Sequence, residues 1–152
     1  MPEASDITEI RHAVRQLCAK FGESYWLELD RDRGYPTEFV QALTESGFLT
    51  VLIPEAYGGS GLGVYEASII MEEVCRAGAH AGACHAQMYV MGSVLRHGSE
   101  AQKQYYLPKI AAGELRLQSF GVTEPTTGTD TTSLKTTARL DGDHYVVNGQ
   151  KV

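Results

Sequence analysis

Between Phe120 and Asp130 the chain reads Phe-Gly-Val-Thr-Glu-Pro-Thr-Thr-Gly-Thr-Asp, an apolar run that breaks into a loop of hydroxyls and glycine closed by a carboxylate. Thr123, Thr126, Thr127 and Thr129 offer hydroxyls that both donate and accept, which suits carbonyl, ring-nitrogen and phosphate partners. Pro125 has no backbone N–H and cannot continue a strand ladder. Gly128 admits positive φ or the close approach of a ligand. A turn rich in threonine and glycine accounts for the composition of this loop but not for the order of its residues.

Other groups with chemical potential read differently. Glu124, beside the loop, is better suited to accept hydrogen bonds from nearby backbone amides than to abstract a proton. His80, His85 and His97 lack the spacing of a metal-ligand set. Cys18, Cys75 and Cys84 show no C-x-x-C pattern, which points to reduced, buried thiols rather than disulfides or a metal centre. The glycine-rich stretch Gly58–Gly63 lacks both the Gly-Lys-Ser/Thr ending of a phosphate loop and the strand–helix setting of a dinucleotide fingerprint, and reads as a tight turn.

The elements that must position these residues divide in two. Ile7, Ile10, Val14, Leu17 and Phe21 recur at helical spacing, with Asp6 and Glu9 as a capping pair. A second helix is expected from Pro36 to Gly47 with Phe39, Val40 and Leu43 on its apolar face. A third runs over 64–76, and a fourth, rich in Ala and Gly, over 79–96. Ser99 and Gln102 form a capping box opening a fifth, short helix that stops before Pro108. After Leu115 the period shortens. Strands are expected over 117–122, 136–140, 145–147 and 150–152, with turns at Asp141-Gly142-Asp143 and Asn148-Gly149.

The chain has 152 residues and a net charge of -6. That length suffices for a real core, and the absence of a basic cluster argues against nucleic-acid binding. The polar, acidic start Met1–Asp6 is unlike a signal or transit peptide, so a cytoplasmic location is expected. No apolar run approaches the ~20 residues of a membrane helix.

Thr123-Glu124-Pro125 followed by Gly128-Thr129-Asp130, after an aromatic-x-Val, resembles the flavin-binding signature of acyl-CoA dehydrogenases. Pro54-Glu55-Ala56-Tyr57-Gly58-Gly59-Ser60-Gly61, Gly98-Ser99-Glu100-Ala101-Gln102-Lys103 with Leu107-Pro108 and Gly113-Glu114, and Val147-Asn148-Gly149-Gln150-Lys151-Val152 are similar to further blocks of that family, in its order and spacing. The resemblance implies an α+β fold: an N-terminal all-α helical domain over 1–115, then the beginning of an antiparallel β-domain over 116–152. A C-terminal helical bundle would follow beyond Val152, making the chain a piece of a longer enzyme.

It further implies FAD as cofactor, with Phe120, Val122, Thr123, Gly128 and Thr129 as its contacts. Val122 and Thr123 would meet the pyrimidine edge of the isoalloxazine, while Gly128 and Thr129 would lie beside the diphosphate. Thr129 replaces the serine common in relatives and keeps its hydroxyl, which would also reach the CoA moiety. Gly82 and His85, on the Ala/Gly-rich helix, would border the acyl chain, though small residues there serve close helix packing equally well. The catalytic glutamate of the family lies in the absent bundle, so no residue here is assigned as catalytic, and none as a metal ligand. An acyl-CoA substrate, an electron-transfer flavoprotein or similar acceptor, and a homotetramer complete what the resemblance implies. The same fold also serves acyl-CoA oxidases and flavin-dependent monooxygenases. A non-enzymatic helical binding module has no reason to carry this hydroxyl pattern.

Overall fold

The computed structural model describes residues 4–152; Met1, Pro2 and Glu3, at the acidic start of the chain, lie outside them. The chain separates into two compact units, one ending at Gln118 and the other running Ser119–Val152.

The first unit is helical: α1 (Ala4–Cys18), α2 (Glu23–Asp32), α3 (Thr37–Glu45), α4 (Val64–Arg76), α5 (Gly82–His97) and α6 (Glu100–Ala111). Their apolar stripes, with Leu49 from the turn after α3, build one cluster that includes Val14, Leu17, Phe39, Val40, Leu43, Ile70, Val74, Cys84 and Met88. A second cluster of Ile53, Met91, Leu107 and Ile110 lies where α5 and α6 meet. Phe39, Val40 and Leu43 are all buried, as the helical spacing requires. Phe21 packs edge-on against Tyr25 and Phe39, and Trp26 against Tyr25 and Phe39, an arrangement favoured by the aromatic quadrupole. Among the described residues no helix is long and apolar enough to cross a membrane.

α1 and α4 are joined by charge as well as by packing. Glu73, almost fully buried, accepts from Arg15 Nε at 2.6 Å and from Arg11 Nη1 at 2.6 Å, while the other arm of Arg11 reaches Glu72 at 2.7 Å. The hydrogen bonds of Arg15 and Arg11 outweigh the penalty of burial and hold the Glu73 carboxyl at about 2.

Local signals set the helix ends. Ser99 Oγ accepts from the Gln102 amide, and the Gln102 side chain accepts from the Ser99 amide at 2.8 Å, closing the expected capping box. Glu66 accepts from the Gly63 amide at 2.8 Å and so caps α4 from one side only, since Gly63 has no side chain to reciprocate. The 58–63 stretch is a turn. A Cβ on Gly59 would fall 2.1 Å from the Ile53 carbonyl oxygen, so the segment folds back on its own approach with no room for a side chain.

Several expectations need correction. Asp6 lies in the first turn of α1 rather than at its cap. α2 falls in a stretch where the sequence predicts no helix: it is strongly charged and buries no residue completely, and only Tyr25 and Trp26 lean on the core. α6 does not stop before Pro108 but runs through it to Ala111, held by the buried Leu107 and Ile110 despite the missing N–H. Cys18 and Cys84 are buried free thiols, but Cys75 is exposed. Burial pushes the Cys84 thiol up to about 12, leaving it a small apolar group in practice.

The second unit holds one antiparallel hairpin, β1 (Thr137–Asp141) and β2 (His144–Asn148), in register from Thr137 opposite Asn148 to Asp141 opposite His144. The Asp141-Gly142-Asp143 turn falls as expected, with Gly142 at positive φ. Residues 117–122 and 150–152 do not form the expected strands. The one backbone bond near them runs from the Val152 amide to the carbonyl of Thr123, just past the first segment, at 3.0 Å, which is too little for a ladder.

Gln87 of α5 stands out within the core. It is fully buried, yet neither atom of its amide finds a partner among the described residues. An unmet buried amide costs about 1–3 kcal/mol. Replacing Gln87 by the similarly sized Met should therefore raise the midpoint of chemical unfolding. A lowered midpoint would show that the amide is in use.

Candidate functional site

The hydroxyl-rich loop belongs to the second unit and is organised around Glu124. Its backbone exchanges two hydrogen bonds with Thr127, at 2.9 and 3.1 Å, pinching residues 124–127 into a tight turn. Its side chain is buried and takes the Lys135 amide at 2.7 Å, the Thr136 amide at 3.0 Å and Lys151 Nζ at 3.0 Å. The Thr136 hydroxyl lies beside the carboxylate outside ordinary hydrogen-bond geometry. That hydroxyl, the Lys135 amide and Lys151 hold the Glu124 carboxyl at about 2, well below its ordinary 4.5. A carboxylate spent on these partners is an anchor, in keeping with its reading as a loop-stabilising acceptor.

Asp130 closes the other end of the loop. It accepts from Thr132 Oγ1 at 2.5 Å, from the Thr132 amide at 3.2 Å and from the Ser133 hydroxyl, and these hydroxyls hold its carboxyl below the usual range. Thr127 Oγ1 donates to the Asp130 carbonyl at 2.7 Å. Thr127 is thus committed internally. The hydroxyls of Thr123, Thr126 and Thr129 have no protein partner among the described residues.

The backbone at 122–123 is polarised in the same sense. Lys151 Nζ donates to the Val122 carbonyl at 3.0 Å, and the Val152 amide to the Thr123 carbonyl at 3.0 Å. Both carbonyls are engaged, whereas the N–H groups of Val122 and Thr123 have no partner among the described residues. What remains available is a set of donors: two amides and the exposed Thr123 hydroxyl. Gly128 takes a negative φ, and a Cβ there would meet only Thr123 Cγ2 at 3.8 Å. The glycine therefore leaves open surface beside Thr123 rather than relieving strain. Phe120 is 56% exposed at the entrance to the loop. A small cleft of about 260 Å³ beside Glu124, lined by Pro125, Thr126, Thr136 and Gly149, contains none of the expected flavin contacts.

Gly82 and His85 belong to the helical unit. Gly82 opens α5 and lines a cleft of about 630 Å³ with Trp26, Tyr35, His80, Ala83 and Gln118. Tyr35 donates to Gln118 at 2.8 Å and Gln118 to the Ala83 carbonyl at 3.0 Å along its wall. His85 is exposed, its ring 5.0 Å from that of Tyr89, and does not line this cleft. A larger cleft of about 750 Å³, between α1, α2 and the end of α4, holds no residue expected to meet flavin or substrate.

The model of the acyl-CoA dehydrogenase N-terminal domain matches residues 4–114. The chain belongs to the acyl-CoA dehydrogenase family. It is 36% identical over 151 residues to the acyl-CoA dehydrogenase FadE12 of Mycobacterium tuberculosis, covering 99% of this chain and 39% of that protein. Among solved structures it is similar to an acyl-CoA dehydrogenase complexed with FAD from Bacillus anthracis, with a TM-score of 0.84 and 31% identity over 98% of this chain and 26% of that one. It is likewise similar to the glutaryl-coenzyme A dehydrogenase glutaryl-CoA complex, with a TM-score of 0.83 and 33% identity over 99% and 39%. The chain thus spans about two-fifths of the length of the curated relatives it matches. The family's N-terminal domain thus takes in all six helices, and the likeness to the solved structures extends over the hairpin as well.

Reading the sequence alone missed Lys151 as part of the site. Its only signal was position, as the cation two residues after Asn148-Gly149.

The Glu124 anchor has a definite pH dependence. Its folded-state value lies below 4.5, so the stability it contributes is fully present above about 4.5 and is lost as pH falls toward about 2. Protection of the Lys135 and Thr136 amides from hydrogen exchange should decline across that window. In Glu124→Gln it should be low throughout, with no inflection there.

Proposed function

We propose that the protein containing this chain removes two hydrogens from the Cα–Cβ bond of an acyl-CoA thioester with bound FAD, and that residues 122–129 supply part of the flavin site. The observation that carries this reading is the donor set at Val122 and Thr123, whose carbonyls are engaged while their N–H groups and the Thr123 hydroxyl remain free. A flavin's pyrimidine edge presents carbonyl oxygens and ring nitrogens, the acceptors such a surface fits. Thr129 adds a free hydroxyl, and Gly128 open surface, where a diphosphate and the CoA chain would pass. FAD supplies the redox step by accepting the β-hydrogen as hydride.

This chain's residues contribute binding and alignment. Val122 and Thr123 orient the ring, Phe120 borders it, and Gly82 and His85 are proposed to border the acyl chain. Holding flavin and thioester in register accounts for much of the rate such an enzyme gains. The carboxylate that takes the α-proton is assigned to the C-terminal region of the protein, since Glu124 is already committed to three donors. Electrons would leave to an electron-transfer flavoprotein or a similar acceptor. We place the protein in the cytoplasm as a homotetramer, with residues 1–115 forming its helical domain and 116–152 opening its β-domain.

Replacing Thr123 by Val keeps the shape and deletes the hydroxyl, which should cost flavin binding about 1–3 kcal/mol. Titration of the full-length apoprotein with FAD measures this. An unchanged affinity would remove Thr123 from the site.

A further inference from the structure

Lys151 has been given no part in the function proposed above, yet it holds the residue on which that function most depends. Val122 and Thr123 are joined by a trans peptide, so the Val122 carbonyl and the Thr123 N–H share one plane and point in opposite directions. Lys151 Nζ grips the Val122 oxygen at 3.0 Å and thereby aims the Thr123 N–H away from itself. The next peptide plane is fixed at both ends, its Thr123 carbonyl by the Val152 amide at 3.0 Å and its Glu124 N–H by the Thr127 carbonyl at 2.9 Å. Thr123 is therefore locked on either side, with its own N–H and hydroxyl unspent.

Lys151 is itself held. Its ammonium also donates to Glu124 Oε1 at 3.0 Å; the Glu124 side chain is 4% exposed and that of Lys151 35%. Glu124 is in turn tied to the amides of Lys135 and Thr136. The lysine thus connects an anchored carboxylate to one particular carbonyl, and a buried carboxylate needs that neighbouring cation.

We infer that Lys151 is a positioning residue for the flavin, fixing the 122–123 peptide so that its N–H faces the cofactor. The inference rests on the flavin reading of residues 122–129.

The test uses the full-length protein, prepared free of cofactor and titrated with FAD. Lys151→Met should weaken FAD binding by about 10- to 100-fold, the range for losing one charge-assisted hydrogen bond. It should also shift the absorption spectrum of the bound flavin. Lys135→Met should leave both unchanged, because only the backbone of Lys135 takes part in the network. Lys151→Arg, which keeps the charge and a donor, should recover part of the loss. A folded Lys151→Met protein with wild-type affinity and spectrum would overturn the inference, as would equal losses in Lys151→Met and Lys135→Met.

A second measurement requires no variant. The Thr123 amide should exchange freely in the apoprotein and become protected when FAD binds, and an amide indifferent to FAD would also overturn the inference. Wild-type protein that takes up no FAD would instead overturn the proposed function beneath it, so the two failures are distinguishable.

Discussion

A carboxylate removed from water must be met by donors or it will not stay ionised, and each unit of this chain is organised around one that is met. In the helical unit Glu73 draws Arg11 and Arg15 of α1 onto α4. In the second unit Glu124 gathers residues far apart in sequence: the amides at 135 and 136 and the ammonium at 151. The two solutions differ in kind. Glu73 is satisfied entirely by guanidinium groups that remain partly in water, so it joins two surfaces that also share an apolar seam. Glu124 is satisfied largely by backbone, so its charge dictates the path of the main chain itself.

That difference bears on where chemistry can take place. A hairpin whose strand residues are almost all exposed has little apolar packing with which to shape the loop that precedes it. Order in the 120–136 segment comes instead from directed polar contacts at Glu124 and Asp130, which leave other polar groups deliberately unspent. At Val122 and Thr123 the carbonyls are engaged and the N–H groups are not, which gives that stretch of backbone a sign: it offers donors. The helical unit uses the opposite strategy, filling its interior with side chains and leaving clefts between elements.

How much of this could be read in the sequence depends on how local each determinant is. α3 and α4 carry their own apolar stripes, and Ser99 with Gln102 announced the start of α6 outright through its capping box. The Asp141-Gly142-Asp143 turn needed only its own residues. α2 was invisible because its aromatic contacts, Tyr25 and Trp26 against Phe39 and Phe21, are made outside the helix and follow no repeat. The segments 117–122 and 150–152 are apolar or mixed enough to pair, but pairing needs a partner, and periodicity does not supply one. The tight turn after Thr123 was legible in residue order, and so was the acceptor role of Glu124. The part played by Lys151 was not, because 27 residues separate it from the carboxylate it meets.

Pro108 carries a consequence for how the molecule opens. Without an N–H it cannot donate to the carbonyl one turn back, so the backbone ladder of α6 has a missing rung three residues before its end. That turn remains helical because Leu107 and Ile110 are clamped in the cluster with Ile53 and Met91. The C-terminal turn of α6 is thus on loan from tertiary packing, and any loosening of that small cluster unzips it ahead of the helices whose ladders are whole.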